Sequence, residues 1–295
     1  KMQFSHLQIH DRPDSSYRGI MIDCARNHHP VSLLKKYVDM CWFYKIKFLH
    51  LHLSDDQAYT LPSDIFPKLT TPHNCFSREE INDLVEYAHL RGVQIVPEID
   101  TPGHSTKIRE AYPEIFGELE VMEFSERSIG AAKELFGEIC RMFPYSEYIH
   151  MGADEANLMD WNNSERCIEY GLSLGIDIDT FKQDGSQFWR RSERFLVHYI
   201  NEISEVIVKN GRKPIVWEGF HRDVNEYVTR DVTVMVFESL YQLAHSLIND
   251  GFKVINCSWR PTYVVVPAWF WGKTEAYNWD IGSFSAVHPQ SPYYG

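Results

Sequence analysis

Short apolar runs recur along this chain, and each is followed by a polar turn. Most are then followed by a helical pattern. Runs of this length predict fully buried strands rather than helices. They fall at residues 18–25, 48–54, 94–100, 148–151, 214–217, 232–237 and 253–257. Helical patterns fall at about 31–44, 77–91, 128–143, 186–210 and 240–250. This alternation is typical of parallel βαβ units, so the sequence predicts an α/β fold.

Polar or aromatic residues stand directly after most of the predicted strands. These positions are Arg26, Asp55, His104, Asp154-Glu155 and Trp217-Glu218. A TIM (β/α)8-type barrel collects its site from the ends of many strands, whereas a doubly wound sheet uses a crevice between a few. The pattern favours the barrel. Only seven strands are recognised, so we expect one barrel domain over 18–295, incomplete at its C-terminal strand, after a polar leading segment at 1–17.

Composition narrows the class of partner. The chain has 295 residues, 44% of them hydrophobic, and a net charge of −12. Without a cluster of basic residues, this charge argues against nucleic acid and anionic membranes as partners. No apolar run approaches the roughly 20 residues of a membrane span, and no signal peptide is recognised. The chain begins at Lys1 without a methionine, which suggests a processed or excised piece.

The six cysteines are scattered and form no CxxC pair. They lie at positions 24, 41, 75, 140, 167 and 257. We interpret them as reduced and structural. Their even number also allows disulfides.

The stretch Tyr148–Asn157 ends a predicted strand in two adjacent carboxylates, Asp154 and Glu155. Side chains alternate along a strand, but a turn through Gly152-Ala153 can present both acids to one cleft. Neighbouring carboxylates are pushed to different pKa values, so one site obtains an acid and an anion together. Alternatively, the pair simply begins a helix, where negative charge suits the macrodipole.

Four multi-residue motifs carry a resemblance to a known family. They are Arg18-Gly-Ile-Met-Ile-Asp-Cys-Ala-Arg26, Leu49-His-Leu-His-Leu-Ser-Asp55-Asp56-Gln57, Val96-Pro-Glu-Ile-Asp-Thr-Pro-Gly-His104 and His150-Met-Gly-Ala-Asp154-Glu155. In this order and at strand ends, they resemble glycoside hydrolase family 20, the β-N-acetylhexosaminidases. The resemblance covers roughly residues 18–280. It implies that the substrate carries an N-acetylhexosamine, either GlcNAc or GalNAc, and it implies no cofactor and no metal.

The resemblance implies a retaining mechanism in which the substrate supplies its own nucleophile, an exception to the usual two-carboxylate scheme. The 2-acetamido oxygen would attack the anomeric carbon and form an oxazolinium ion, which water then opens. Glu155 would protonate the leaving oxygen and later deprotonate the water. Asp154 would accept the acetamide N–H and stabilise the developing positive charge.

The supporting residues are also carried over one by one. Arg26 resembles the arginine that binds the 3- and 4-hydroxyls of the sugar; the alternative is a surface ion pair. Asp55 and His104 resemble a pair that contacts the acid/base residue. The alternative is that Asp55 is a capping aspartate and His104 an ordinary loop histidine. Trp217 resembles a wall of the acetamide pocket, against an ordinary core tryptophan.

The chain also departs from the family pattern. Ala153 stands where a glycine is usual, and Phe237 stands where a second pocket tryptophan is common. Tyr263 is a loose match to the tyrosine that binds the acetamide carbonyl, and plain packing is its alternative. The Trp-x-Glu pair of the family's last strand is not found before Gly295.

Two other functions fit parts of the sequence. A metal-dependent hydrolase could use His50 and His52, which face one side of a strand, together with His104 and His150. A sugar-binding barrel without catalysis would explain the aromatic residues after position 258. Binding alone needs no proton donor, however, so retention of both Asp154 and Glu155 favours an enzyme.

Overall fold

The computed structural model describes residues 8–176, 188–265 and 271–284. Their strands are β1 (Gly19–Asp23), β2 (Phe48–His52), β3 (Gln94–Thr101), β4 (Tyr148–Gly152), β5 (Lys213–Trp217), β6 (Thr233–Val236) and β7 (Lys253–Asn256). Their helices are α1 (Val31–Phe43), α2 (Arg78–His89), α3 (Thr106–Ala111), α4 (Pro113–Phe116), α5 (Glu126–Met142), α6 (Leu158–Asn163), α7 (Glu165–Ser173), α8 (Phe188–Lys209), α9 (Ala244–Asn249), α10 (Trp259–Thr262) and α11 (Lys273–Tyr277).

All seven strands are parallel and lie side by side in chain order, from β1 to β7. Each crossover therefore connects neighbouring strands, as expected for repeated βαβ units. The predicted α/β architecture is confirmed, and each strand lies within two or three residues of its predicted position. In the described part of the chain, β1 and β7 each have one neighbouring strand. The prediction of an incomplete barrel is also confirmed.

The sheet is curled, and its inner face has a core of its own. Phe48, Val96, Ile215 and Met235 come from four different strands and pack in one buried cluster with Trp217 and Phe237. Side chains of β2 and β6, four positions apart in the sheet, belong to the same cluster only because the sheet bends around them. This inner core is the lumen of a partial barrel.

A second and larger core lies between the outer face of the sheet and the helices. It includes Leu49, Leu51 and Ile149 from the strands and Leu34, Ile81 and Phe136 from α1, α2 and α5. All five residues of β2 are buried, as expected for a parallel strand covered on both faces. The helices on the outside fix the sheet, and the strand ends are left to form a site.

Local sequence signals account for several helix bounds. Ser77 and Glu80 form the predicted capping box at the start of α2. The helix predicted at 240–250 is confined to Ala244–Asn249. Between β5 and β6 the chain forms a 3-10 helix, Arg222–Tyr227, where the sequence analysis recognises no helical pattern.

All six cysteines are free in the structure, and Cys24, Cys41, Cys140 and Cys167 are buried. A search of the described residues finds no helix with the length and apolar character to span a membrane.

Candidate active site

The ends of β1 and β2 bring Arg26 and Asp55 together. Arg26 Nη2 lies 2.5 Å from Asp55 Oδ2, and Nη1 lies 2.9 Å from Asp23 Oδ2. Asp55 is buried, whereas 47% of the Arg26 side chain is exposed. The guanidinium is therefore anchored at one edge by two carboxylates. Its remaining surface faces solvent, where a ligand can reach it.

His104 connects Asp55 to the two adjacent acids. Its Nδ1 lies 3.4 Å from Asp55 Oδ1, and its Nε2 lies 3.3 Å from Glu155 Oε2 and 4.0 Å from Asp154 Oδ2. The structure thus places five of the predicted site residues in one continuous group that starts at Arg26. This group lies at the carboxyl ends of β1 to β4, the end at which barrel enzymes place their sites.

An unusual backbone directs both acids to His104. Gly152, Ala153 and Glu155 have positive φ angles of 77°, 75° and 44°, and His104 has a φ of 43°. Non-glycine residues in this region cost of order 1–3 kcal/mol each and are concentrated at functional sites. The left-handed turn interrupts the alternation of β4, so consecutive side chains approach the same imidazole nitrogen.

His104 and three of the acids around it, Asp55, Asp154 and Glu155, have shifted pKa values. Hydrogen bonds with Asp55 and Glu155 raise the pKa of His104 to about 12, so the imidazole is a cation at neutral pH. Burial would raise the pKa of Asp55, but His104, His52 and Arg26 outweigh it and lower that pKa. Asp55 is therefore an anion that fixes the charge of His104.

The adjacent acids are shifted in opposite directions. Burial, with the negative charges of Glu98 and Glu155, raises the pKa of Asp154 to about 7. The hydrogen bond from His104 lowers the pKa of Glu155, whose side chain is 54% exposed. Two neighbouring carboxylates with separated pKa values are the arrangement that acid–base catalysis uses. In the chain without substrate, however, Glu155 is the anion.

Trp217, Phe237 and Tyr263 meet in the lumen beside this group. The rings of Trp217 and Phe237 are 5.7 Å apart and nearly perpendicular, and Tyr263 packs against the same cluster. The end of β5 approaches the acids closely, because a Cβ on Gly219 would lie 2.1 Å from the carbonyl oxygen of Ala153. The three aromatic residues form a wall next to the Asp154 turn.

The histidines of the metal alternative surround a buried glutamate. His50 Nε2 and His52 Nδ1 lie 2.8 and 3.0 Å from Glu98 Oε2. Spacing alone would allow an ion between His50, Glu98 and His150. However, the Gly152 N–H donates to His150 Nδ1 at 3.0 Å, and Trp217 Nε1–H donates to Glu98 Oε1 at 2.7 Å. These bonds engage one atom each of His150 and Glu98, whereas His50 Nε2, His150 Nε2 and Glu98 Oε2 have no hydrogen-bond partner among the described residues. Hydrogen bonding within the protein therefore leaves these three atoms available as ligands.

The sequence analysis missed two residues of the site, Asp100 and Tyr241. Asp100 is buried, and burial raises its pKa well above the usual range, with Asp154 adding to the shift. Burial also raises the pKa of Tyr241, next to the charges of Asp154 and Glu155. Asp100 lies two residues after Glu98 on β3, so strand alternation could have placed it on the lumen face. Tyr241 lies in the loop between β6 and α9, at a position that the sequence analysis assigned to a helix.

Comparison with known proteins agrees with this geometry. Residues 16–294 match the model of glycosyl hydrolase family 20, catalytic domain. A beta-hexosaminidase of Akkermansia muciniphila is 31% identical over 90% of this chain and 58% of its own length. The human beta-hexosaminidase subunit beta is 26% identical over 93% of this chain and 52% of its own. The chain thus spans little more than half the length of these relatives.

Solved structures support the fold. Dispersin B superposes with a TM-score of 0.71 at 19% identity, covering 94% of this chain and 87% of that protein. An exo beta-N-acetylglucosaminidase from Vibrio harveyi, in complex with N-acetylglucosamine, superposes with a TM-score of 0.67 at 24% identity, covering 83% and 42%. The four motifs, the strand-end site and these matches lead to one conclusion: the chain belongs to glycosyl hydrolase family 20.

Proposed function

We propose that this chain is a catalytic domain that hydrolyses β-linked N-acetylhexosamine, GlcNAc or GalNAc, from glycans or glycoconjugates. The names of its relatives support hexosaminidase activity. The main structural support is His104, which contacts Asp55 on one side and approaches both Asp154 and Glu155 on the other. The positive charge of His104 therefore acts on both Glu155, the predicted acid/base residue, and Asp154, the predicted partner of the acetamide.

In this proposal the substrate acetamide is the nucleophile. Its oxygen attacks the anomeric carbon while Glu155 gives a proton to the departing glycosidic oxygen. Asp154 accepts the acetamide N–H and stabilises the positive charge of the oxazolinium. Trp217, Phe237 and Tyr263 exclude water from the acetamide, and Arg26 binds hydroxyls on the far side of the ring. Glu155 then takes a proton from water, which opens the oxazolinium with retention.

Substrate binding would reverse the charges of the two acids. A sugar above Glu155 would cover the half of its side chain that faces solvent, and desolvation raises a carboxyl pKa. The oxazolinium next to Asp154 would lower the pKa of that group, since an opposite charge favours the anion. The bound state would then have the proton on Glu155, as the reaction requires.

The direct test is release of nitrophenol from an aryl N-acetyl-β-glucosaminide and its galactosaminide counterpart. We expect turnover by the unaltered chain and a loss of about 100-fold or more in Glu155→Gln, because general acid catalysis contributes 10²–10⁴-fold. Glu134→Gln, an exposed glutamate on α5, is the matched control and should keep full activity. Equal rates in the two variants would contradict the assignment of Glu155.

A second prediction concerns the nucleophile. A thiazoline mimic of the oxazolinium should inhibit far more strongly than the free sugar, because intermediate analogues bind much more tightly than substrates. Competitive inhibition constants for the two compounds provide the comparison. Equal constants would rule out participation of the acetamide.

The second candidate is a sugar-binding barrel that does not hydrolyse. One observation favours it: the lowered pKa of Glu155 leaves no proton for a leaving group before substrate binds. In that case the thiazoline and the free sugar would bind alike, and nitrophenol would not be released.

A further inference from the structure

Glu98 is a buried carboxylate that the proposed mechanism does not use. It lies on β3 with 0% of its side chain exposed, in the layer between the apolar core of the lumen and the acids. A buried carboxylate without partners would cost several kcal/mol. Burial would raise the pKa of Glu98, but the surrounding histidines outweigh this and hold it well below its usual range. Glu98 is therefore an anion at neutral pH.

One oxygen of Glu98 is bonded to the pocket wall. Trp217 Nε1–H donates to Glu98 Oε1 at 2.7 Å. The indole also packs against His150, with ring centroids 4.8 Å apart, and stacks on His50 at 5.8 Å with 26° between the planes. Packing fixes the plane of the indole, and the bond to Glu98 fixes its rotation within that plane.

The other oxygen of Glu98 leads to the acid/base side of the site. His52 Nδ1 lies 3.0 Å from Glu98 Oε2, and His52 Nε2 is hydrogen-bonded to Asp55 Oδ2 at 2.8 Å. Asp55 in turn contacts Arg26 and His104. Glu98 stands at the junction of two chains of contacts, one to Trp217 and one through His52 to Asp55.

We propose that Glu98 is a positioning residue that orients Trp217 for the acetamide and, through His52, holds Asp55 against His104. The effect of Glu98 on catalysis rests on the proposed function. The hydrogen bond between Glu98 and Trp217 does not depend on it. An anion suits both tasks, because charge-assisted hydrogen bonds are shorter and stronger than neutral ones. A small displacement of either group can cost about 100-fold in rate.

The first test is spectroscopic and independent of activity. In ¹⁵N-labelled protein, the Trp217 indole N–H signal is assigned by its absence in Trp217→Phe. We expect Glu98→Gln to move this signal upfield, because a neutral amide oxygen accepts more weakly than a carboxylate. Glu138→Gln is the matched control, since Glu138 is a buried α5 glutamate bonded to Ser63 Oγ and Asp64 N, both at 2.6 Å. An unmoved signal in folded Glu98→Gln overturns the proposal.

The second test measures function. Glu98→Gln and Trp217→Phe should each weaken thiazoline inhibition at least about tenfold, and the double variant should lose little more than either alone. Additive losses would show that Glu98 does not act through the indole. Trp217→Phe keeps an aromatic ring and the anion, so it remains informative if Glu98→Gln fails to fold. Unchanged inhibition in Trp217→Phe also overturns the proposal.

The His52 branch has its own variant. His52→Gln should lower kcat while the Trp217 indole signal stays in place, because it removes the contacts to Asp55 and to Glu98 Oε2 but leaves Glu98 Oε1, the acceptor of the indole N–H. A wild-type kcat in His52→Gln overturns this half of the proposal. If the unaltered chain is inactive but the indole signal moves in Glu98→Gln, the proposed function fails and the orientation of Trp217 by Glu98 stands.

Discussion

At the scale of single residues, the fold places a stability cost on Asp154. Its pKa is raised from 3.8 to about 7. The favourable contribution of the protonated form is complete below pH 3.8 and is lost as pH rises through 7, where the fold must hold a poorly solvated anion. Function and stability therefore make opposite demands on this side chain at neutral pH.

We predict that Asp154→Asn stabilises the protein at pH 8 and much less at pH 5. Asparagine has a similar shape and is neutral at both values, so the gain at pH 8 is on the order of 3 kcal/mol. Melting temperatures of the variant and the parent at the two pH values provide the measurement. An equal difference at both would show that Asp154 ionises normally in the folded chain.

The same variant bears on the mechanism. We expect Asp154→Asn to lower turnover with only a modest effect on binding, because its carboxylate acts on charge that develops during the reaction. A large loss of affinity with unchanged turnover would contradict that role.

The candidate site was only partly predictable from sequence at this scale. The four motifs that carry Arg26, Asp55, His104, Asp154 and Glu155 identified these residues as a group, and the structure places them together. Their charges were not predictable, since the shifted pKa values depend on burial and on Asp100 and Glu98. Those two carboxylates lie in the same motif as His104, and strand alternation places them on one face, but it does not show how deeply that face is buried.

At the scale of elements, the end of β4 depends on a glycine. A Cβ at Gly152 would lie 1.8 Å from Asp100 Oδ1 and 2.7 Å from Asp100 Cα, and its φ is 77°. Both the backbone conformation and the close approach of β3 therefore require a residue without a side chain at position 152.

We predict that Gly152→Ala destabilises the fold by at least about 3 kcal/mol. The new Cβ overlaps Asp100, and the alanine must adopt a positive φ angle. Gly92→Ala is the control, because Gly92 has a φ of 69° with no atom within 4 Å of its Cβ position. That variant should lose only about 1–2 kcal/mol. Denaturant unfolding measures both, and equal losses would show that contact with Asp100 is unimportant.

The position of the loop after β6 depends on Glu218, a contact that could not be predicted from the sequence. Glu218 Oε1 accepts backbone N–H groups from Phe237, Glu238 and Ser239 at 3.3, 2.6 and 2.6 Å. Burial raises the pKa of Glu218 to about 7 despite these bonds. Strand periodicity located β5 and β6, but a carboxylate that binds amides of another loop has no sequence periodicity. Glu218 thus fixes the position of the pocket residue Phe237.

At the scale of the whole molecule, the described sheet has two outer strands. The residues of β1 and β7 are partly exposed, whereas those of β2 are all buried. Apolar runs that alternate with helical patterns were sufficient to predict parallel βαβ units. The barrel curvature was predicted from functional residues at the ends of many strands. The contacts across the lumen that accompany this curvature are not contained in any local pattern.

We predict that amides of β1 and β7 exchange with deuterium faster than those of β2 to β4. A strand with one neighbour leaves part of its backbone unpaired and opens more readily. Hydrogen–deuterium exchange with peptide mapping makes the comparison. Equal protection would contradict the expectation that a strand with one neighbour opens more readily.

The layer of histidines around Glu98 has a consequence for engineering. Replacing a buried ionic group with apolar side chains of similar volume is often neutral or stabilising. Replacing His50, His52 and Glu98 with leucine or methionine would then maintain or raise the stability of the barrel. Trp217 and Asp55, however, would lose their contacts with Glu98 and His52. Selection for thermal stability alone would therefore favour apolar substitutions at these three positions. Turnover should be measured for each thermostabilised variant.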